Sequence, residues 1–231
     1  MLDLGEIISY YEMCSEEGVN LQRGMNYHLG GYYSVILMSK RSGAPYSDRT
    51  EDDGRILIYE GHDMPTRQGG PNPKLLDQPM YNPKGSLCQN GLFFVAAQTY
   101  KLHGEQEIVK VYEKIKSGIW TYNGFFLLVD AWKEKSNNRK VYKFKLQLLE
   151  NQNNQSSKSK RYNLDNSRLI PSWVKREVWK RDNGRCVICG ETTNLHFDHI
   201  IPYSKGGTSL LPENIQLLCA KHNLEKRDKI N

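Results

Sequence analysis

Over the first two thirds of the chain, apolar residues come in short blocks divided by turn formers. Ser34-Val-Ile-Leu-Met-Ser39, Arg55-Ile-Leu-Ile-Tyr-Glu60, Leu92-Phe-Phe-Val-Ala-Ala97, Glu107-Ile-Val-Lys-Val-Tyr-Glu113 and Gly124-Phe-Phe-Leu-Leu-Val-Asp-Ala131 are rich in β-branched and aromatic residues, with Gly, Pro, Asn and Asp between them. Each is the length of a strand. Tyr142-Lys-Phe-Lys-Leu-Gln-Leu148 alternates strictly, as a strand does with one face buried. Leu4, Ile7, Ile8 and Tyr11 have helical spacing and predict a short helix ahead of the strands. Many strands with few helices predict a barrel or a strongly curved sheet. Asn151-Gln-Asn-Asn-Gln-Ser-Ser-Lys-Ser-Lys160 holds no apolar residue and marks a boundary, giving domains at 1–150 and 171–231 with a linker at 151–170. Beyond it, Pro171-Ser172 opens a helix over Trp173–Asp182 with Val174 and Val178 one turn apart, and Asn183-Gly184 closes it.

Composition narrows the class. A chain of 231 residues with 38% hydrophobic content can build one ordinary domain and a small second one, and is too apolar for a disordered protein. Its longest apolar run, Gly124 to Val129, is far below the ~18 residues that cross a bilayer. Asp3 and Glu6 precede any apolar run, unlike a signal peptide. Five cysteines, an odd count, argue against a disulfide framework and for a reducing compartment, so a soluble cytoplasmic protein is expected. The net charge of +6 is localised. Residues 1–155 hold 18 basic and 18 acidic side chains, residues 156–185 hold 9 and 3, and residues 186–231 hold 5 and 5. A basic stretch between neutral blocks fits a polyanion partner, or simply a solvated lysine-rich linker. Lys175, Arg176, Lys180 and Arg181 put much of that surplus on the helix after the linker, a candidate for lying along a phosphate backbone.

Cys186-Val-Ile-Cys189 and Cys219-Ala-Lys-His222 are two ligand pairs with matching gaps. Zn2+ takes four tetrahedral sulfur or nitrogen ligands, and a small element with little core gains folding energy from it. The alternative, buried free cysteines or a redox pair at Cys186 and Cys189, leaves the second pair unexplained. Between the pairs stand Asp198-His199-Ile-Ile-Pro202, Lys205-Gly-Gly207 and Asn214-Ile-Gln-Leu-Leu-Cys219, and Lys221-His222-Asn223-Leu-Glu-Lys226 follows. With these residues the stretch 173–230 resembles the HNH endonucleases, whose ββα-metal fold is a hairpin and a helix. The last name-giving position is Asn223 instead of His; an amide oxygen still suits a hard cation.

Phosphodiester hydrolysis needs an activated water, a stabilised pentacovalent phosphate and a neutralised leaving oxygen. His199 is the candidate general base, since an imidazole of pKa ~6.5 is largely neutral at working pH. Asp198 and Asn223 offer oxygens to one Mg2+ or Mn2+. By resemblance, Asn214 orients the histidine and braces the hairpin loop. Adjacent strand residues face opposite ways, so Asp198 and His199 act together only where the backbone is irregular. His196 shares the face of Asp198 and is open to phosphate, to metal or to a structural role. Cys219 and His222 share a helix face from which Asn223 is rotated by ~100°, so one helix can serve zinc and the catalytic cation on different sides.

The N-terminal block carries an ordered set of motifs: Gly31-Tyr-Tyr-Ser-Val-Ile-Leu-Met-Ser39, Gly43-Ala-Pro-Tyr46-Ser-Asp48, Glu51-Asp-Asp-Gly54 and Ile58-Tyr59-Glu-Gly61-His62-Asp63, then Asp77-Gln78, Asn82, Asn90-Gly91 and Tyr122-Asn123-Gly124. In this order, over residues 28–149, they resemble the SRA (SET- and RING-associated, or YDG) domain, which flips a modified cytosine out of duplex DNA; Asn123 replaces the aspartate of the namesake tripeptide. The resemblance implies that Tyr46 and Tyr59 stack on the flipped base and that Asp48 accepts from its exocyclic amine, with Asp52 and Asp53 as rivals in a long loop. His62 and Asp63 read as DNA-backbone or turn residues. The loops Arg67–Pro73 and Lys84–Asn90 are candidates for groove contacts.

The expectation is an α+β protein of two domains: an N-terminal β-rich, SRA-like curved sheet or barrel with flanking helices, and a small zinc-stabilised ββα-metal HNH module. Its expected function is a modification-dependent DNA endonuclease that flips 5-methylcytosine or 5-hydroxymethylcytosine. It would cut nearby with Mg2+ or Mn2+, leaving 5′-phosphate and 3′-hydroxyl ends, in prokaryotic restriction of modified foreign DNA. The expected partner is double-stranded DNA, with no membrane and with a homodimer possible because one HNH site cuts one strand. The rivals are an HNH enzyme of restriction or homing type that reads unmodified sequence, and a non-catalytic reader of modified DNA.

Overall fold

The computed structural model describes residues 2–29, 31–41, 43–66, 68–149, 170–202, 205–227 and 229–230. All of the expected linker except Ile170 lies outside them. The larger part is an eight-stranded sheet built from β1 (Ile7–Ser9), β2 (Met25–Leu29), β3 (Tyr33–Met38), β4 (Arg49–Glu51), β5 (Ile56–Glu60), β6 (Ile108–Lys116), β7 (Ile119–Ser136) and β8 (Arg139–Leu148). The spatial order is β2-β3-β6-β7-β8-β5-β4, with β1 beside the first part of β7. Among the described strands, only β3 and β6 pair in parallel. The sheet is open, not a barrel: β2 and β4 form its two edges and do not pair with each other.

Both faces of this sheet are covered, which explains why its strands read as apolar runs and not as alternating ones. Ile36, Met38, Val109 and Val111 face the helix α2 (Gln89–His103) and pack on Phe93, Ala96 and Ala97. Their odd-step neighbours Val35 and Tyr112 face the other way, packing with Met13 of α1 (Tyr10–Glu17). Leu92–Ala97, expected as a strand, belongs to α2. A short apolar run fits a buried strand or a buried helix equally; here Gln98–His103 extends it, and Gly104 at φ 74° ends it with a left-handed cap. The expected helix at Leu4–Tyr11 is also shifted. Ile7–Ser9 is strand, and Ser9 caps α1 reciprocally with Glu12.

The Tyr122-Asn123-Gly124 tripeptide is a bulge. Lys110 pairs with Phe125 and Tyr112 with Tyr122, so Asn123 and Gly124 together oppose Val111. Gly124 takes φ 93°. The extra residue reverses the alternation: Trp120 and Tyr122 face α1, whereas Phe126 and Leu128 face α2.

The smaller part holds α3 (Ser172–Arg181), β9 (Leu195–His199), β10 (Ile215–Cys219) and α4 (Ala220–Lys226), a ββα unit preceded by one helix. Ile170, Val174, Val178, Leu195, Phe197, Ile215, Leu217 and Leu218 form its core, and Ile7 of β1 joins them. Asn183 and Gly184, at φ 54° and 62°, close α3 as expected from sequence.

Beside the packing of Ile7, two sets of polar contacts join the parts. Gly5 and Glu6 bond Tyr122 of β7 on one side, while Glu6 bridges His196 of β9 on the other. Beside this splint, Lys175 Nζ of α3 reaches Glu113 Oε2 at 3.1 Å and Asn123 Oδ1 at 2.7 Å, and Asn123 Nδ2 donates to Glu113 Oε2 at 3.1 Å. All three side chains are at most 2% exposed. Lys175, expected along a phosphate backbone, is therefore internal. Arg181 stays exposed but commits its guanidinium to the protein, donating to the carbonyls of Pro212 and Ile215. Burial pushes the Glu113 carboxyl up, but Lys175 and hydrogen bonds from Ser172, Asn123 and Lys175 hold it below its ordinary value of 4.5.

Removing one partner of a buried pair leaves the other uncompensated, at a cost of about 3–5 kcal/mol. Lys175→Met should lose stability on that scale in denaturant unfolding, and adding Glu113→Gln should recover most of it. Because the folded-state pKa of Glu113 is depressed, its contribution is full above pH 4.5 and is lost as pH falls through the folded value. Wild type should therefore lose stability below pH 4.5 more steeply than the double variant.

Candidate functional site

Tyr46, Asp48 and Tyr59, far apart in sequence, line one cavity of about 620 Å³. Ser39, Arg41 and Trp120 are among the other residues of its wall. Asp48 is fixed by two backbone donors: Ser39 N–H at 3.1 Å to Oδ2 and Glu60 N–H at 3.0 Å to Oδ1. These bonds tie the end of β3 to the end of β5. Burial pushes its carboxyl up to about 7, against the pull of the two N–H groups. Asp52 lies in a short 3-10 turn at Asp52–Gly54, exposed and outside the cavity wall. Tyr59 is 3% exposed, and burial raises its hydroxyl pKa. Its hydroxyl fits only because residue 24 is glycine, where a Cβ would sit 2.6 Å from the oxygen. That requirement lies on another strand entry, and no motif announced it.

Tyr46 is held from outside the cavity. Lys74 Nζ stands 4.0 Å from its ring centroid, and the Asp63 N–H donates to its hydroxyl at 3.3 Å. Asp63, read from sequence as a turn or DNA-backbone residue, is an internal ion hub: it pairs with Lys74 at 2.7 Å and Arg139 at 2.5 Å. Gln78 and Asn90 are buried braces. Gln78 donates to Gly61 O and accepts from Tyr142 N–H, and Asn90 clasps both backbone groups of His62. They hold the strand end behind Tyr59, which gives these scattered polar motifs a structural use.

In the smaller part, Cys186, Cys189, Cys219 and His222 place their ligand atoms within 4.8 Å of one another. Cys189 Sγ to Cys219 Sγ is 3.8 Å, and His222 Nδ1 lies 3.4 Å from Cys186 Sγ and 3.3 Å from Cys219 Sγ. A tetrahedron with Zn–S of ~2.3 Å and Zn–N of ~2.05 Å has edges of about 3.8 and 3.6 Å. The donor set therefore fits Zn2+. Burial alone would raise the Cys186 thiol, but backbone N–H groups and His222 pull it down to about 6, toward the thiolate a metal needs.

His199 ends β9, 8% exposed, with Nε2 2.8 Å from Ser209 Oγ. Burial lowers the imidazole pKa; Asp198 opposes that and Lys226 adds to it, so the net value is below 6.5 and the ring is neutral at pH 7. Asn214 is given to the loop: its amide accepts from Ile201 N–H at 2.8 Å and donates to Ile201 O and Thr208 O. Gly207 packs so tightly here that a Cβ would overlap Ile201 O. Among the described residues, Ser209, not Asn214, is the side-chain partner of the His199 ring, and no sequence motif marked it. β9 pairs regularly through His199, so no irregularity turns Asp198 and His199 to one face.

Lys226 Nζ lies 2.9 Å from Asp198 Oδ2 and 2.5 Å from His199 O. Asn223 is one helical turn before Lys226, which brings the Asn223 side of α4 toward Asp198. One carboxylate and one amide oxygen suit a hard cation that keeps water and phosphate oxygens as its other ligands. His196 is 4% exposed, bridged through its backbone to Glu6, and its Nδ1 has no partner among the described residues.

Residues 186–229 match the family described as HNH endonuclease. No curated protein matches the chain. Among solved structures, the chain is similar to the SUVH5 SRA domain in complex with hemi-methylated CG DNA (22% identity, TM-score 0.45, 65% of this chain and 91% of that one). It is also similar to SUVH5 SRA bound to fully hydroxymethylated CG DNA (21%, TM-score 0.46, 65% and 91%). A third similar structure is Arabidopsis thaliana SUVH6 in complex with SAM (20%, TM-score 0.42, 65% and 26%).

Metal analysis of the purified protein should find about one zinc per chain, since the four donors complete a tetrahedral shell. Cys219→Ser should lower that content and the melting temperature together. Full zinc retention in the variant would show that Cys219 is not a ligand.

Proposed function

We propose that the protein is a modification-dependent DNA endonuclease, which flips a C5-modified cytosine into the 620 Å³ cavity and cuts the duplex nearby at the HNH centre. The observation that carries this reading is that Tyr46, Asp48 and Tyr59 share one cavity in a chain whose residues 186–229 match HNH endonucleases. Tyr46, half-buried, supplies a stacking face, worth about 1–3 kcal/mol per base, while Tyr59, packed in the sheet core, lines the cavity wall. A carboxylate fixed by two N–H groups offers its remaining lone pairs to the exocyclic amine of cytosine. The open side of Tyr46 takes the base while Lys74 keeps the ring in place.

At the second centre, Asp198 and His199 leave opposite faces of β9, and we place the phosphate around the strand end, where His199 is the last residue and would accept the proton of the attacking water with Ser209 holding the ring. Burial keeps that imidazole in the neutral form a base requires. Asp198 and Asn223 would hold Mg2+ or Mn2+, which when bound stabilises charge on the phosphate and the leaving oxygen. Lys226 orients the Asp198 carboxylate. One such centre cuts one strand, so a double-strand break takes two copies. Restriction of modified foreign DNA in a prokaryotic cytoplasm is the biological role we assign.

Cleavage of one duplex sequence carrying cytosine, 5-methylcytosine, 5-hydroxymethylcytosine or its glucosylated form tests the reading. Cutting confined to modified duplexes is expected, and equal cutting of all four would favour a reader of unmodified sequence. His199→Ala should lose about 10²–10⁴-fold in rate with binding kept. Unchanged cutting would remove His199 as the base, and binding without any cutting by wild type would favour a non-catalytic reader.

A pH profile tests Asp48 separately. Its ionised form accepts from the amine and is lost as pH falls through about 7. Affinity for the modified duplex should weaken between pH 8 and pH 6 in wild type, and Asp48→Asn should bind more weakly with that slope flattened. An unaltered slope would take Asp48 out of the base edge.

A further inference from the structure

The splint and the buried cluster between the two parts have no role in binding a base or in hydrolysis. We propose that they make the protein a fixed-length ruler: the joint holds the nuclease in one orientation to the base pocket, so the cut falls at a single offset from the flipped cytosine. This rests on the function proposed above and specifies where that function acts.

The argument follows the path from cavity to nuclease. Trp120 lines the cavity and pairs with Ile8 of β1. Two residues before Ile8, Glu6 bridges His196, and His199 lies three residues along the same strand. Every step is strand backbone, a strand pairing or, at Glu6, a single β-bridge one residue before β1, and a strand advances ~3.3 Å per residue with little freedom. The second route is the ion cluster. Lys114 lines the cavity while its neighbour Glu113 binds Lys175 of α3. Met38 Sδ lies 3.8 Å from Asn123 Nδ2, and the next residue, Ser39, donates its N–H to Asp48. Pocket wall and joint are thus made by adjacent residues of the same strands.

The asparagine in the tripeptide Tyr122-Asn123-Gly124 follows from this use. It donates to Glu113 and accepts from Lys175 at once. An aspartate there would set a second carboxylate against Glu113 with one ammonium to share, and would have no donor. The bulge at Asn123 and Gly124 is what aims this side chain at α3.

A nuclease tethered only by a flexible linker of about twenty residues would range over about 25 Å. That is about seven base pairs at ~3.4 Å each. The two cases give different products. On a duplex with one 5-methylcytosine, mapped at nucleotide resolution under dilute single-turnover conditions, wild type should cut one dominant phosphodiester per strand. Glu113→Gln/Lys175→Met, which removes both charges, should spread the cuts over several neighbouring positions. Its affinity for the modified duplex and its summed cleavage should stay within about threefold of wild type. Asn123→Asp should spread them similarly and provides a second route should the double variant not fold. Wild-type cuts scattered over half a helical turn or more would overturn the ruler while leaving the modification-dependent nuclease intact. A single unchanged offset in every folded variant would do the same. No modification-dependent cutting at all would sink the function and the ruler together.

Discussion

The buried ammonium of Lys175 is the contact on which the arrangement of the two parts turns. Placing a charge where only 1% of the residue meets solvent costs several kcal/mol unless it is paired. The sheet meets that demand with Glu113 from β6 and Asn123 from the bulge in β7. Apolar contacts alone would let α3 slide across the sheet. A pair with defined distances does not, because any shift leaves a charge unsatisfied. The same β7 then carries β1 on one edge and β8 further along, so the bulge also decides which side chains face each helix.

Charge counts on a sequence say nothing about direction. The surplus over residues 156–185 read as a footprint for phosphate, yet Lys175 pairs inside the protein and Arg181 bonds carbonyls of the neighbouring hairpin. Both belong to a helix whose apolar spacing, Val174 and Val178, was legible and whose ends matched. The partner that turns Lys175 inward is supplied by strands some fifty to sixty residues earlier. Local patterning cannot show such a pairing.

What the sequence made legible shares one property: the chemistry needs fixed residue types at fixed short spacing. The four candidate zinc donors come from two such pairs, and their ligand atoms gather within 4.8 Å of one another. Tyr46, Asp48 and Tyr59 were legible through motif order, and the fold brings them to one cavity. What was missed is set by space. Gly24 makes room for the Tyr59 hydroxyl, Gly207 admits the Ile201 carbonyl, and Ser209 meets His199 from across a loop. The apolar run Leu92–Ala97 failed for a different reason: six consecutive apolar residues carry no period that separates strand from helix, although only Phe93, Ala96 and Ala97 of them end up buried.

Burial acts on the two candidate centres in opposite chemical senses and serves both. It penalises a negative charge at Asp48 and a positive charge at His199, raising one pKa to about 7 and lowering the other below 6.5. At His199 the result is an imidazole in the neutral form that the proposed base requires, its ring held among the described residues by the hydroxyl of Ser209. At Asp48 the two N–H bonds keep the anion accessible near neutral pH, so a cytosine amine, itself a donor, can complete the ionised state. On the proposed reading, a base that presents an acceptor at that position would meet the same carboxylate unfavourably, so charge as well as shape would separate cytosine from thymine.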